Sequence, residues 1–242
     1  MGTKRSQVQI NYFRSNGEPF DWKMRLLEVE YKTKSYSRNI RPNKDMVMYY
    51  IDNKWPDYQF EEESLLLVFE KFNDTNNPYH LFSRLLALNA IYSTAIDTKK
   101  LRMLTDTFIE QTKGFNPEEY DPTIVDRIRV KFINDHHYDP YSITTKYFSH
   151  INECEYPIYD SYVKTMLMWY RYQYSEFCFA IEDLNNYDYF RAIINNFIKV
   201  FDLNCDLRTV DKFLWTAGKE FFPQYVYKDL LDKYKPQTSK FS

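Results

Sequence analysis

The chain has 242 residues, 44% of them hydrophobic, which is enough for one large domain to bury a core without disulfides or a structural metal. Its 32 basic and 34 acidic residues give a formal net charge of −2, which excludes a uniformly basic nucleic-acid coat but not a local basic patch. The widely spaced Cys154, Cys178 and Cys205 indicate reduced thiols in a cytoplasmic protein. No apolar run approaches the roughly 18 residues of a membrane span, so we expect no membrane partner.

Hydrophobic residues recur at helical spacing along most of the chain, and no strand-like alternation persists. A first helix is predicted over about residues 21–33, followed by a basic connector rich in Ser and Asn over residues 32–44. Further helices are predicted from Glu61 to Phe72 and over residues 79–93, 98–112, 117–134, 142–152, 159–172, 186–203 and 207–220. The sequence therefore predicts an all-α protein of two packed lobes. Its oligomeric state is not indicated.

Several kinds of chemistry are excluded by missing motifs. Gly2, Gly17, Gly114 and Gly218 are isolated from one another, so no glycine-rich loop can hold the phosphates of a nucleotide. The chain also lacks the GxSxG and HExxH motifs and any paired-cysteine zinc signature. The loop at residues 135–139 has two histidines and two carboxylates, which suit a divalent cation. Adjacent histidines without a third spaced ligand are usually solvated, so no metal is predicted there.

The segment Glu-Tyr-Pro-Ile-Tyr-Asp-Ser-Tyr-Val-Lys at residues 155–164 is the most suggestive of function. Pro157 favours an extended conformation for the residue before it, and Asp160 or Ser161 can cap the helix that follows. Backbone N–H donors and the helix dipole keep a carboxylate at a helix N-terminus ionised. Asp160 therefore either presents a fixed negative charge to a developing cation or only caps the helix.

This segment resembles the one that bears the catalytic aspartate in helix-hairpin-helix DNA glycosylases, where an apolar residue, Pro, an apolar pair and Asp precede a helix. Residues 85–94, Leu-Leu-Ala-Leu-Asn-Ala-Ile-Tyr-Ser-Thr, are similar to the helix that adjoins the base pocket in that family. Residues 141–149 occupy the place of the hairpin and its following helix, with Lys146 near the lysine nucleophile of bifunctional members. The resemblance covers roughly residues 60–220 and implies two helical lobes around a cleft.

The resemblance implies a DNA glycosylase that flips a modified or damaged base from the duplex and hydrolyses its N-glycosidic bond. Asp160 and Lys146 would be its catalytic residues. The base would be bound by Asn89, Tyr92, Ser93, Thr94, Tyr156 and Tyr159, and the DNA phosphates by Arg127, Arg129, Lys131 and Lys164. No cofactor is implied, because the chain has no four-cysteine loop for an iron–sulfur cluster. On this basis residues 59–223 form the glycosylase-like domain, preceded by residues 1–58 and followed by a tail over 224–242.

A second interpretation is a non-catalytic module of the same fold that binds nucleic acid or protein in bacterial repair or phage defence. Residues 138–150 contain no glycine, whereas hairpins of the family use a Gly-Val-Gly-type turn whose backbone amides bind a DNA phosphate. The nearly balanced charge also does not favour tight binding to a duplex.

Overall fold

A computed structural model describes residues 41–222, and every regular element in that range is helical. The α-helices of this range are α1 (Lys44–Asn53), α2 (Gln59–Lys71), α3 (Pro78–Ile91), α4 (Thr98–Gln111), α5 (Ile124–His136), α6 (Tyr141–Ile151), α7 (Ser161–Gln173), α8 (Tyr187–Val200) and α9 (Leu207–Phe221). Short 3-10 helices at Trp55–Tyr58 and Ile181–Asn185 precede α2 and α8. The predicted all-α class is thus confirmed. No helix of this range has both the length and the apolar character needed to cross a membrane.

Two of these helices begin at the cap that the sequence indicated. Asp160 accepts backbone N–H groups at the start of α7, and Asp206 does so at the start of α9. The helix predicted over 117–134 begins only at Ile124, because Asp121 Oδ1 first accepts from Thr123 N in a turn. α1, capped by the side chain of Asn43, was not predicted. The helix predicted over 21–33, most of its connector and the C-terminal tail lie outside the described residues.

The helices fall into two groups according to which of them pack together. In the first group α2, α3, α4 and α5 pack each on the next, and α6 packs on α2, α3 and α5. In the second group α9 packs on α1, α7 and α8. The 3-10 helix at Trp55–Tyr58 contacts both α1 and α2 and so connects the groups. One apolar core of buried residues extends through both.

Tyrosines contribute much of this core, and their hydroxyls find partners there. Tyr156 and Tyr187 have no exposed surface. The Tyr156 hydroxyl accepts from Asp121 N at 2.8 Å, and the Tyr187 hydroxyl donates to Pro157 O at 2.9 Å. Such bonds remove the cost of burying a polar tip with an aromatic ring. They also fix Tyr156 and Pro157, which lie just before Asp160, to the core.

Arg129 on α5 is fully buried and connects three parts of the fold. Its guanidinium lies 2.6 Å from Asp126 and 3.0 Å from Asp139, and it donates to Asn185 O at 2.8 Å. The same group lies 3.4 Å from the centroid of the Tyr141 ring. The prediction that Arg129 contacts a DNA phosphate is therefore wrong, because the side chain has no exposed surface and its donors are bound inside the protein.

Gly218 allows α9 to approach the start of α7 very closely. A Cβ atom added at this position would lie 2.9 Å from Tyr162 Cβ, 3.1 Å from Tyr162 O and 3.2 Å from Met166 Cγ. Real Cβ atoms essentially never approach another heavy atom to less than 3.0 Å. The contact therefore fixes α9 against the helix that Asp160 begins.

Gly218→Ala should destabilise the protein. At an open helical position this change stabilises by up to about 1 kcal/mol. Here we expect a loss of about 1–3 kcal/mol, because the added methyl group overpacks the contact between α7 and α9. Urea unfolding followed by circular dichroism measures the difference, and a gain in stability would contradict the described packing.

Arg129→Met and Arg127→Met provide a matched pair of variants on one helix. The first removes a fully buried cation and leaves Asp126 and Asp139 without it, so we expect a loss of about 3 kcal/mol. The second removes an exposed cation that pairs with Asp121 at 3.4 Å, and should cost less than about 1 kcal/mol. Equal losses in urea unfolding would show that Arg129 does not have the structural role described.

Candidate functional site

Asp160 is buried at the N-terminus of α7, with 8% of its surface exposed. Its backbone is extended, and its Oδ1 atom accepts from Tyr162 N and Val163 N, both at 2.9 Å. The prediction that the segment at 155–164 places a capping carboxylate here is confirmed. Both bonds end on one oxygen atom, so the carboxylate is held in a single orientation.

The three residues before Asp160 are held by three different helices. In two of these contacts a backbone amide donates to a side chain, and in the third a backbone carbonyl accepts from a tyrosine hydroxyl. They are Tyr187 Oη to Pro157 O at 2.9 Å, Ile158 N to Asp211 Oδ1 at 3.3 Å, and Tyr159 N to Thr145 Oγ1 at 3.1 Å. The position of the Asp160 carboxylate is therefore set by α6, α8 and α9 together.

Lys146 lies on α6, directly after Thr145, and only 3% of its surface is exposed. Its amine donates to Ser142 Oγ and lies 5.0 Å from the centroid of the Tyr92 ring. Burial lowers the pKa of this amine, while the negative charges of Asp160 and Asp211 act in the opposite direction. Lys146 thus loses its proton more easily than an exposed lysine and lies within the electrostatic influence of Asp160.

Arg208 on α9 is the centre of a buried charged network. Its guanidinium lies 2.6 Å from Glu62 on α2, 3.4 Å from Asp211 and 3.3 Å from Glu153. Glu62 also pairs with Lys212 at 2.9 Å. These ion pairs join α9 to α2 and therefore connect the two groups of helices.

Asp211 lies beside Arg208 with 2% of its surface exposed. Burial raises the pKa of its carboxyl to about 7, and the nearby Asp160 adds to this effect. The positive charges of Arg208 and Lys146 and the bond from Ile158 N act in the opposite direction. Asp211 can therefore gain or lose a proton near neutral pH.

His150 and Tyr92 extend the charged network around Arg208 toward the end of α3. The Tyr92 hydroxyl lies 3.2 Å from His150 Nε2. Burial lowers the pKa of His150 to about 3, and the positive charge of Arg208 contributes to the shift. The imidazole is therefore neutral at physiological pH. Burial also raises the pKa of the Tyr92 hydroxyl. Of the residues assigned to base binding, Tyr92 is the one that lies against Lys146.

Asn89 forms hydrogen bonds within the turn that follows α3, and its contact with a base stays a prediction. Its Oδ1 accepts from Thr94 Oγ1 and from Ile96 N, and its Nδ2 donates to Ile96 O. These bonds close the turn after α3, in which Ser93 has a positive φ of 50°. Ser93 is exposed and Thr94 is half-buried, and their role in binding a base stays a prediction.

The two tyrosines of the 155–164 segment differ in their surroundings. Tyr156 is fully buried and its ring lies parallel to that of Tyr187, so the prediction that it stacks on a base is wrong. Tyr159 is half-buried and stacks on Tyr141, with ring centroids 4.1 Å apart. Its contact with a base stays a prediction.

Two of the four predicted phosphate contacts are contradicted by burial. Lys164, like Arg129, is buried, with 7% of its surface exposed, and cannot present its charge to DNA. Arg127 and Lys131 are accessible on α5, where Lys131 pairs with Asp135 at 3.2 Å, and both stay predictions. No group of three or more potential metal ligands occurs among residues 41–222, including the loop at 135–139.

Four further residues belong to the candidate site and were not identified from the sequence. They are Glu62, Arg208, Asp211 and Lys219. Lys219 is half-buried, and its amine lies 3.7 Å from the ring centroid of Trp215 and 4.3 Å from that of Tyr58. Burial lowers the pKa of Lys219, and Asp160 opposes the shift. One sequence pattern could have identified Arg208 and Asp211. They are charged residues spaced i, i+3 on the inward, otherwise apolar face of an amphipathic helix.

Comparison with known proteins assigns no activity to this site. No family model matches the chain. A protein of Haemophilus influenzae described as uncharacterized shares 38% identity over 84 residues, which are 35% of this chain and 39% of that protein. The chain therefore spans about two fifths of the length of the curated relative it matches. No solved structure matches it significantly.

Proposed function

We propose that the chain is a DNA glycosylase of the helix-hairpin-helix type, with Lys146 as nucleophile and Asp160 as the carboxylate that stabilises positive charge on the deoxyribose. The observation that carries the proposal is the buried, easily deprotonated Lys146 amine within the electrostatic influence of Asp160. Buried ionisable groups with opposed charges and shifted pKa values are concentrated at functional sites.

The order of the elements supports this proposal. α5 and α6 pack together and are joined by residues 137–140, in which His137 has a left-handed conformation with φ 52°. Residues 141–149 lie wholly in α6, so the assignment of part of the hairpin to that segment is corrected, and under this proposal the hairpin would be residues 137–140. In place of a glycine turn, Asp139 Oδ1 accepts from Tyr141 N at 3.0 Å. Lys146 lies on the helix after the hairpin, and Asp160 begins the next one.

The chemistry requires a neutral amine, which burial of Lys146 favours. The lone pair of Lys146 Nζ forms a bond to C1′ of the deoxyribose while the bond from C1′ to the base nitrogen breaks. The base departs with the electron pair and takes up one proton. Positive charge develops on the sugar in this step, and the fixed Asp160 carboxylate would stabilise it.

The proposed cleft lies where the two groups of helices meet. Lys146 and Tyr92 belong to the first group, and Asp160 begins a helix of the second. A flipped nucleotide bound between the groups would thus meet the amine on one side and the carboxylate on the other. Lys219, held between Tyr58 and Trp215, adds a positive charge near Asp160 that suits a DNA phosphate.

Borohydride trapping tests the nucleophile. Incubation with duplexes that contain a panel of modified bases or an abasic site, followed by reduction, should give a covalent adduct whose attachment mass spectrometry maps to Lys146. Lys146→Gln should abolish the adduct, while Lys199→Gln, which removes an exposed lysine near the end of α8, should retain it. An adduct of undiminished yield in Lys146→Gln would show that another amine reacts.

Asp160→Asn tests the carboxylate, because Asn keeps the cap and removes the charge. We expect base release to slow by about 10²–10³-fold, while the free energy of unfolding changes by less than about 1 kcal/mol. Asp206→Asn, at the cap of α9, is the control and should leave the rate unchanged. An Asp160→Asn variant that releases bases at the original rate would assign Asp160 a capping role alone.

A non-catalytic module of the same fold is the second candidate. The burial of Arg129 and Lys164 favours it, because it removes two of the cations that were expected to bind DNA phosphates. Titration of the protein with a DNA duplex at several salt concentrations distinguishes the two candidates. Salt-dependent binding together with base release supports the glycosylase, and binding of protein partners without affinity for DNA supports the module.

A further inference from the structure

Ser142, in the first turn of α6, is bonded directly to the Lys146 amine. Lys146 Nζ donates to Ser142 Oγ at 2.5 Å, and the two residues lie one helical turn apart on the same face. On its other side the amine faces the Tyr92 ring, with 5.0 Å between Nζ and the ring centroid. The amine is therefore held between one hydroxyl and one aromatic face.

The two bonded residues differ in their access to solvent. Lys146 is 3% exposed, whereas Ser142 is half-buried at the start of the helix. A hydroxyl has one hydrogen to donate and two lone pairs with which to accept. The Ser142 hydroxyl can thus donate its hydrogen to water and still accept an N–H of the amine. A bond in this direction leaves the lone pair of a neutral Lys146 amine unbonded.

The bond also places the amine near the N-terminal end of α6. Ser142 is the second residue of this helix, so the Lys146 side chain extends back along the helix toward its start. The N-terminal end of a helix carries a partial positive charge, which disfavours a second positive charge beside it. Helix direction and burial therefore both favour the neutral amine that the proposed reaction requires.

Charged groups of the neighbouring elements act on this amine at longer range. Asp160 at the start of α7 and Asp211 on α9 favour its charged form through their negative charges. Tyr92, which faces the amine, is neutral because burial raises the pKa of its hydroxyl. Three further charged side chains, on helices that pack on α6, are bonded to other residues. They are Glu62 on α2, Arg84 on α3 and Arg129 on α5.

We propose that Ser142 is a positioning residue that orients the Lys146 amine for attack on C1′ of the deoxyribose. This role rests on the proposed function. The hydroxyl accepts one N–H of the amine and so fixes the rotation of the amine about its Cε–Nζ bond. The lone pair then keeps a single direction, which an unbonded amine on a flexible four-carbon stem would not have. Ser142 itself forms no covalent bond to the DNA.

Nuclear magnetic resonance of protein labelled at lysine Cε tests the bond without DNA. The Lys146 signal is assigned by its loss in Lys146→Arg. Ser142→Ala should lower the midpoint of its titration by about one pH unit, because the charged amine loses its hydrogen-bond acceptor. Ser142→Thr, which keeps a hydroxyl, should leave the midpoint unchanged. Ser83→Ala should also leave it unchanged and is the control, since it removes a half-buried hydroxyl that bonds Tyr79 O on another helix.

The pH dependence of borohydride trapping separates positioning from a general effect on folding. In single-turnover reactions with an abasic-site duplex, Ser142→Ala should lower the highest trapping rate by about tenfold, because the amine is no longer held in one orientation. The rising limb of its pH profile should move to lower pH, together with the midpoint of Lys146. A loss of folded protein alone would lower the amount of adduct without moving this limb. Ser142→Thr should restore both the rate and the limb.

A Lys146 midpoint that is the same in Ser142→Ala and in the unmodified protein would overturn the proposal, and so would an unchanged highest rate of trapping. Ser142→Thr and Ser142→Val have the same shape and differ in the hydroxyl alone, so their midpoints provide the same comparison if Ser142→Ala does not fold. A lowered midpoint without any adduct would confirm that Ser142 holds the amine but remove the glycosylase reaction. An adduct with an unchanged midpoint would keep that reaction and exclude Ser142 from it.

Discussion

The ion pair of Arg208 with Glu62 is the interaction on which the arrangement of the molecule depends. It joins α9, the helix around which one group packs, to α2 in the other group, at 2.6 Å and with little solvent exposure of either side chain. A buried cation is stable only with bonded partners, and Arg208 also lies beside Asp211 and Glu153. The two groups of helices are therefore connected by charge as well as by apolar packing, at the place where Lys146 and Asp160 lie.

The same constraint determines the chemistry that is available. Burial lowers the pKa of His150 to about 3 and raises the pKa of Asp211 to about 7, and the positive charge of Arg208 adds to the first shift and opposes the second. Lys146 lies among these groups and is deprotonated more easily because of its burial. Structural and chemical roles thus cannot be assigned to separate residues in this cluster.

The sequence predicted the helices well because local signals determine where they begin. Asp160 and Asp206 both cap helices, as expected from their type and from the apolar residues that follow. Burial was predicted less well, since it depends on which helices meet. Arg129, Lys164 and Tyr156 have the residue types of a DNA-binding surface, but their positions face neighbouring helices. Asp211 lies more than 50 residues beyond Asp160 in the chain, and only the packing of α9 on α7 brings them together.

The close contact at Gly218 has a mechanical consequence. Because no side chain fits between α7 and α9 at Gly218, residues with side chains cannot move into this position unless the two helices separate. The two helices carry Asp160, Asp211 and Arg208, whereas Lys146 lies on α6 in the other group. Among the contacts between the two groups near the site, Tyr159 N donates to Thr145 Oγ1 at 3.1 Å, and Thr145 Oγ1 lies 3.4 Å from Tyr159 O. Any displacement of one group of helices against the other therefore changes the separation between the Lys146 amine and these two carboxylates.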